Sequence, residues 1–237
     1  MLASHSSTCD VVDALTNRAR RHGADPLVTW YGPSSGARAE FSARTFANWV
    51  DKTVNLLDEM ELTSSRVANT LLISNPAHWT TLVWTMAIWQ AGGIVEAIPV
   101  DAVGAGTAAA VVGPGTQPTG AGVTIACSLH PLGAPLIKPA TGVIDFAEVL
   151  SQPDAHQRFD ATDLVCFDDG TEHTWQDLAA IPPLSHRVLL EGATQPWELV
   201  SLGLVGPLLG GGSVVLVVGD RHTNIGELLR QEKAHRA

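Results

Sequence analysis

The alternation of apolar and polar positions between residues 67 and 99 predicts a strand, a helix and a second strand. Residues 71–73 form a short apolar run bounded by polar residues, which is typical of a buried strand. Asn-Pro at 75–76 supplies an N-cap and a proline at the first helical position. The predicted helix is apolar on two sides, which indicates packing between a sheet and another layer. Gly-Gly at 92–93 ends it, and residues 94–98 are predicted as the next buried strand.

The same patterns predict alternating strands and helices along the rest of the chain. Strands are predicted at 27–31, 37–41, 109–112, 123–126, 164–167, 188–190 and 214–218, with a strand or short helix at 142–150. Helices are predicted at 10–21, 43–60, 175–180, 197–209 and 224–232, the fourth being broken or ended by Pro207. Residues 168–173 are predicted as an acidic turn. Because a strand–helix–strand unit of this length forms a parallel crossover, the fold class is α/β.

Composition excludes several classes of partner. The chain of 237 residues has a formal net charge of −10 and only three lysines. Nucleic acids and anionic membrane surfaces are bound by clustered Lys and Arg, so neither is an expected partner. The three cysteines are odd in number and far apart, which predicts neither a disulfide framework nor a zinc site and suits a reducing compartment.

A membrane span is also not expected. Residues 199–219 carry no charge, but Pro207 and the glycines at 210–212 interrupt the run of about 20 apolar residues that a spanning helix needs. The first residues show neither a basic segment nor an apolar core of a signal peptide. The sequence therefore predicts a soluble, cytoplasmic protein.

Several motifs resemble those of the adenylate-forming superfamily, which includes acyl-CoA synthetases, adenylation domains and luciferases. Arg66-Val67 and residues 75–99 resemble its R-V-A…N…A-x-x-A-G-A-x-x-x-P unit. Residues 187–189 and the segment LVGPLLGGGSVVLV at 204–217 resemble its D-R-V-L…pLl-x-G-x-x-V-V-L segment. The helix at 42–60 resembles the T-Y-x-E-L motif of the same family.

The resemblance implies the fold of the N-terminal domain of acyl-CoA synthetases, with two helix-flanked, largely parallel sheets. Residues 1–237 would form one such domain. Its first lobe would consist of residues 1–62 and 186–237, and its second of residues 67–165.

The chain departs from the family where the nucleotide is bound. The family's loop of Ser, Thr and Gly, closing with Pro-Lys-Gly, should follow the strand at 164–167, because its backbone N–H groups and lysine hold phosphate oxygens. The degenerate nucleotide-loop position here is Asp168, Asp169, Gly170 and Thr171, followed by Glu172. Carboxylates there would repel a triphosphate. The family's later motifs, its C-terminal domain and its catalytic lysine have no counterpart in the chain.

These departures predict a truncated, non-catalytic acyl-CoA synthetase-like protein, a pseudoenzyme retained for binding or assembly. It would have no catalytic residue, bound metal or cofactor, and a partner protein or a second copy would cover its truncated face. The alternative is one subunit of a split acyl-CoA synthetase, an acid–CoA (AMP-forming) ligase that uses ATP and CoA only when a second chain completes its nucleotide site.

Three other patterns have more ordinary interpretations. The G-x-S-x-G sequence at 32–36, centred on Ser34, matches a hydrolase nucleophile elbow, but a strand rather than a helix is predicted after it. The sequence at 104–109 matches a loose dinucleotide fingerprint but lacks the helix that it should open. Asp168, Asp169, Glu172 and His173 could bind a metal, yet a solvated acidic turn is favoured. His78 is predicted as a satisfied core or interface residue.

Overall fold

The computed structural model describes residues 9–33, 37–168, 170–191, 195–219 and 224–237, which form two sheets flanked by helices. The helices are α1 (Cys9–Arg21), α2 (Ala43–Glu59), α3 (Leu71–Ser74), α4 (Trp79–Gln90), α5 (Trp175–Ala179), α6 (Pro196–Val200), α7 (Gly206–Gly210) and α8 (Ile225–Glu232). The strands are β1 (Pro26–Tyr31), β2 (Arg38–Ser42), β3 (Arg66–Asn69), β4 (Ile94–Ala97), β5 (Ala109–Val112), β6 (Val123–Ala126), β7 (Ile144–Asp145), β8 (Leu164–Asp168), β9 (Thr171–Thr174), β10 (Arg187–Glu191), β11 (Ser213–Val217) and β12 (His235–Arg236).

The first sheet has the strand order β12-β10-β11-β1-β2. Its pairs are parallel except for the β1–β2 hairpin. Every residue of the central strand β11 is buried, as its continuous run of branched apolar residues predicts for a strand covered on both faces.

The second sheet has the order β7-β6-β5-β3-β4-β8-β9. Its pairs are all parallel except for β8–β9. The predicted α/β class with two largely parallel sheets is therefore confirmed. Strands β3 and β4 are neighbours in this sheet, and α4 lies between them in sequence.

Helix α4 lies between the two sheets. It packs against β1 of the first sheet and against β3 and β4 of the second. All twelve of its residues are buried, which confirms the prediction of a helix packed between two layers. Asn69 at the end of β3 joins strand and helix, because its Nδ2 donates to Thr81 O at 3.0 Å and to Thr85 Oγ1 at 3.1 Å.

The strand predicted at 71–73 is wrong, because the sheet ends at Asn69 and residues 71–74 form the short helix α3. Thr70 turns the chain away from the sheet: its Oγ1 donates to Val111 O of β5 at 2.8 Å, and its carbonyl accepts from Ser74 N at 3.0 Å. The predicted N-cap at 75 is also wrong. His78 caps α4, since its Nδ1 accepts from Thr80 N at 3.3 Å.

Pro207 was predicted to break or end the helix at 197–209, and this is wrong as well. Helix α6 continues through a π-helical turn, Ser201–Val205, directly into α7. The Gly206 N–H bonds to Ser201 O, five residues back, and such a widened turn accommodates the proline ring without ending the helix. None of the helices in the ranges that the structure describes is long and apolar enough to cross a membrane.

Candidate functional site

The predicted nucleotide-loop position is a tight β-hairpin. Asp168 of β8 pairs with Thr171 of β9, so only residues 169 and 170 lie between the two strands. Gly170 has a φ of +78°, the left-handed conformation that short hairpin turns need. The prediction of an acidic turn over 168–173 is therefore wrong for most of its length. Residues 171–173 continue the sheet, since they belong to β9 and pair in antiparallel register with Asp168, Phe167 and Cys166 of β8.

The four residues predicted at this position have different environments. Asp168 ends β8, and its Oδ2 accepts from the backbone N of Trp197, in the first turn of α6, at 3.2 Å. Asp169 lies outside the described residues. Gly170 and Thr171 are exposed, and the space beside the Gly170 Cα is open. The Asp168 carboxylate thus accepts a hydrogen bond from a backbone N–H at the start of α6. A negative charge is favourable there, because the N-terminus of a helix carries a partial positive charge.

The hairpin holds His173 against Trp197. Their rings stack with centroids 3.7 Å apart and planes 5° apart. Strand pairing fixes the His173 backbone opposite Cys166, and the Asp168 carboxylate fixes the Trp197 amide. The two rings form a flat aromatic platform between the sheet edge and the helix.

A cavity of about 520 Å³ lies beside this stack, and we call it the hairpin cavity. It is lined by His173, Asp177, Ala180, Ile181, Pro182, Leu184, Trp197, Ser201 and Leu202. Its walls are mainly apolar with a few polar groups, and its volume is in the range of small-molecule sites, about 300–1,000 Å³.

The carboxylate of the hairpin cavity belongs to a capping box. Asp177 Oδ2 accepts from the backbone N of Thr174 at 2.7 Å and from its Oγ1 at 2.8 Å, while Thr174 Oγ1 caps α5. The hydrogen bond from the Thr174 N–H, followed by that from its hydroxyl, holds the pKa of Asp177 below its usual value. The carboxylate at the mouth of the cavity therefore stays charged at neutral pH.

The metal site considered for this segment is not assembled in the part of the chain that the structure describes. Within those ranges there is no group of three or more His, Cys, Asp or Glu placed to hold an ion. Glu172 and His173 are consecutive in β9 and therefore point to opposite faces of the sheet. His173 stacks on Trp197, and Asp168 caps α6.

Two thiols and one imidazole near the core are chemically quiet. Burial raises the pKa of Cys127 to about 12 and that of Cys166 to about 12, with the Asp168 charge adding to the shift at Cys166. Burial lowers the pKa of His78 to about 4, against the hydrogen bond of its Nε2 with Leu129 O at 3.1 Å. His78 is neutral and satisfied, as predicted.

Two other sequence motifs, the G-x-S-x-G sequence and the loose dinucleotide fingerprint, can be compared with the structure only in part. Residues 34–36 of the G-x-S-x-G sequence, including Ser34, are outside the described residues. The glycines at 104 and 106 precede strand β5 rather than a helix, so the dinucleotide fingerprint lacks its structural context.

Sequence reasoning did not find the hairpin cavity. The sequence indicated Trp197 only as the start of a helix, and His173 only as part of an acidic turn or as a possible metal ligand. The sequence feature that could have indicated this contact is the Pro-Trp pair at 196–197. A proline in the first turn of a helix marks the helix start, where the backbone N–H of the next residue is free to bond to a capping group. That signal could not indicate which strand end supplies the cap.

No family model matches the chain. A Mycobacterium tuberculosis protein, known only as a member of a numbered protein family, is 38% identical over 131 residues. These residues are 52% of this chain and 51% of that protein, so the match spans about half of each and the two chains are similar in length.

Solved structures of acid ligases have the same fold. A Brucella canis acyl-CoA synthetase matches 96% of this chain with a TM-score of 0.73 and 16% identity. A coronafacic acid ligase from Pectobacterium brasiliense matches 95% with a TM-score of 0.68 and 13% identity. The matched regions are only 46% and 49% of those proteins. The chain therefore has the fold of the N-terminal lobe of the adenylate-forming enzymes, and it spans about half the length of these neighbours.

Proposed function

We propose that this chain is a non-catalytic protein with an acyl-CoA synthetase-like fold, retained for binding rather than for forming acyl adenylates. The observation that carries the proposal is the two-residue turn between Asp168 and Thr171. A loop that holds a triphosphate needs several consecutive backbone N–H groups directed at phosphate oxygens. A hairpin closed after two residues leaves no length for such a loop.

The charges around the hairpin support the same proposal. Asp168 places a carboxylate directly before the turn, Asp177 places another at the far end of β9, and none of the residues lining the hairpin cavity is a lysine or arginine. Lys52, a residue of α2, forms an ion pair elsewhere, with its Nζ 2.9 Å from Asp154 Oδ1. A triphosphate at the hairpin would therefore meet the Asp168 carboxylate without a lysine or arginine among the described residues that line the cavity.

The hairpin cavity is the binding site in this proposal. Its ligand would be mainly apolar, because Ile181, Leu184 and Leu202 form much of the wall. A ring or unsaturated group would lie against the His173–Trp197 platform, and a polar end would reach Ser201. Apolar pockets with a few polar groups select ligands in this way.

The decisive experiment is ATP–pyrophosphate exchange by the purified chain with a panel of carboxylic acids. We expect no exchange above a protein-free blank, while an acyl-CoA synthetase assayed in parallel shows that the conditions permit it. Exchange that depends on both the acid and this chain would overturn the proposal.

A second candidate is supported by the coverage of the ligases, since this chain matches less than half of each. It is one subunit of a split acid–CoA ligase, whose other chain supplies the nucleotide loop. Calorimetric titration with ATP and with CoA distinguishes the two candidates. Saturable heat with either ligand favours the split enzyme, and its absence with both favours the non-catalytic protein.

Both candidates include a partner in the cytoplasm, either a different protein or a second copy, that covers part of the surface. Static light scattering measures this directly, because a second copy doubles the mass of 25.0 kDa. A monodisperse monomer that captures no partner would contradict this part of the proposal.

A further inference from the structure

A second cavity, of about 1040 Å³, lies on a different part of the molecule and shares no lining residue with the hairpin cavity. We call it the helix cleft. Helices α1 and α2 form two of its walls, and residues 155–161 form the third. Trp89 and Gln90, at the end of α4, lie at its floor.

The third wall is held in place although it has no helix or strand. We call residues 152–161 the strap. Asn55 of α2 donates through Nδ2 to the carbonyls of Pro153 and Ala155, at 3.0 and 2.9 Å. The backbone carbonyl of Asp160 lies against Gly92, since a Cβ at Gly92 would be only 2.2 Å from it. The cleft is therefore a built cavity, fixed along one side by hydrogen bonds and at its end by close packing.

Two of the three carboxylates that line the cleft are paired within it. Asp51 of α2 lies 2.8 Å from His156 Nδ1, and Asp13 of α1 lies 3.5 Å from Arg158. Both pairs join a helix to the strap. Asp13 is paired with a guanidinium and Asp51 with an imidazole, which leaves Asp160 as the carboxylate of the lining without an ion pair among the described residues.

Two guanidinium groups on the rim have no such partner. Arg20 of α1 and Arg44 of α2 are exposed, and neither forms an ion pair or side-chain hydrogen bond with the residues that the structure describes. The lining as a whole is balanced, because it contains three arginines, Arg20, Arg44 and Arg158, and three aspartates, Asp13, Asp51 and Asp160. In a chain of net charge −10, the cleft therefore carries no excess of negative charge, and Arg20 and Arg44 are its guanidinium groups without an ion pair among the described residues.

The floor supplies a hydrogen-bond acceptor. Gln90 is 5% exposed, and its Oε1 is buried without a partner among the described residues. A buried polar atom left unpaired is unfavourable, because it has lost its hydrogen bonds to water without gaining others. A hydroxyl or N–H group brought to this end of the cleft would relieve that cost.

We propose that the helix cleft binds a small anion, a carboxylate or phosphate ester, that also carries a hydroxyl or N–H group. Arg20 and Arg44 hold the anionic group, the donor reaches Gln90, and the apolar part lies against Phe159 and Ala47. This site is independent of the hairpin cavity and of any acyl-adenylate chemistry. Guanidinium groups suit both acids, because they bind carboxylate and phosphate oxygens in a planar, two-bond geometry.

The test is calorimetric titration of the purified chain with mandelate, a hydroxy carboxylate, and with glycerol 3-phosphate, a hydroxylated phosphate ester. We expect saturable millimolar or tighter binding of at least one, and the stronger of the two identifies the acid. Arg20→Gln and Arg44→Gln should each weaken it about tenfold or more, since hydrogen bonds to charged groups contribute about 1.5–3 kcal/mol. Arg21→Gln, next to Arg20 on α1 but outside the lining, is the matched control.

The role of Gln90 has its own comparison. Gln90→Leu should weaken mandelate but leave phenylacetate, which lacks the hydroxyl, unchanged; circular dichroism checks that the variant is folded. The proposal is overturned if neither probe binds, or if Arg20→Gln binds as tightly as Arg21→Gln. Because these probes contain no nucleotide, a negative result leaves the proposed function at the hairpin cavity intact.

Discussion

The unit from β3 through α4 to β4 and the hairpin β8–β9 are neighbours in one sheet but are constrained differently. Every side chain of α4 is buried between two sheets, and changes there are opposed from all sides. The hairpin lies at the sheet edge, and the first two residues of β9 are exposed. A fold can therefore be kept by its inner crossover while the turn at its edge changes length and chemistry.

The largest expected effect comes from removing a buried tryptophan of α4. Trp84 is fully buried, donates through Nε1 to Cys127 Sγ at 3.2 Å and packs on Phe146. Trp84→Ala should lower the free energy of unfolding by about 4 kcal/mol, because it leaves a cavity that neighbouring side chains cannot fill. Urea denaturation followed by circular dichroism measures it.

Trp197→Ala is the matched change at the hairpin. Trp197 is only partly buried and loses chiefly its stack on His173, so about 1–2 kcal/mol is expected. Equal losses for the two variants would mean that the hairpin is as integral to the core as α4, which contradicts the comparison.

Substitution of two glycines with similar φ angles distinguishes the cost of backbone strain from the cost of a steric clash. Gly92, which follows the C-cap residue of α4, has φ +75°, and Gly170 in the hairpin has φ +78°. A Cβ at Gly92 would lie 2.2 Å from Asp160 O, whereas one at Gly170 meets nothing within 4 Å. Gly170→Ala should cost about 1 kcal/mol of unfolding free energy from left-handed strain alone, and Gly92→Ala about 3 kcal/mol. Similar values in urea denaturation would show that the strap yields to the new methyl group.

The sequence predicted some inner strands closely but not the start of the unit from β3 to β4, and the reason is physical. Apolar runs such as 109–112 and 214–218 report burial directly, so the strands formed there lie within a residue of their predicted positions. The run at 71–73 is equally apolar but helical, because the hydrogen bond of Thr70 with Val111 ends the strand. Apolar pattern alone does not reveal such a long-range contact.

The candidate site was predicted only in position. The missing Pro-Lys-Gly loop could be recognised, but the paired strand that replaces it depends on the register of Asp168 with Thr171. The contact of His173 with Trp197 joins residues 24 positions apart, one in the edge strand β9 and the other in helix α6. The helix cleft similarly depends on how the strap crosses α2, which no local pattern encodes.

The buried cap of α4 predicts a pH dependence of the free energy of unfolding. Burial lowers the pKa of His78 to about 4 from its ordinary 6.5. At a pH above 6.5, His78 is neutral in both the folded and the unfolded chain. As the pH falls below 6.5, His78 becomes protonated in the unfolded chain but stays neutral in the folded chain. Stability is therefore lost between about pH 6.5 and about pH 4, by about 2–3 kcal/mol. His78→Asn keeps a capping side chain without this titration.

The measurement is the difference in unfolding free energy between wild type and His78→Asn, by urea denaturation at about pH 7 and about pH 4.5. The wild type should lose about 2–3 kcal/mol more than the variant over this interval. Parallel pH profiles would show that His78 takes up its proton without leaving the folded structure.

The smallest effect concerns local opening, and the two buried thiols report it. Cys127 lies behind Trp84 of α4, whereas Cys166 in β8 pairs with His173 of the edge strand. Burial raises the pKa of both thiols to about 12, so each reacts only when its surroundings open. Exposing Cys166 requires release of one edge strand, while exposing Cys127 requires movement of the central helix. Iodoacetamide should therefore label Cys166 about tenfold faster than Cys127, as edge segments open at lower free energy.

Peptide mass spectrometry in a Cys9→Ser background measures both rates, and Gly170→Ala should accelerate labelling of Cys166 alone. Equal rates in both backgrounds would show that hairpin and core open together, and the edge would then be no more independent than the helix it flanks.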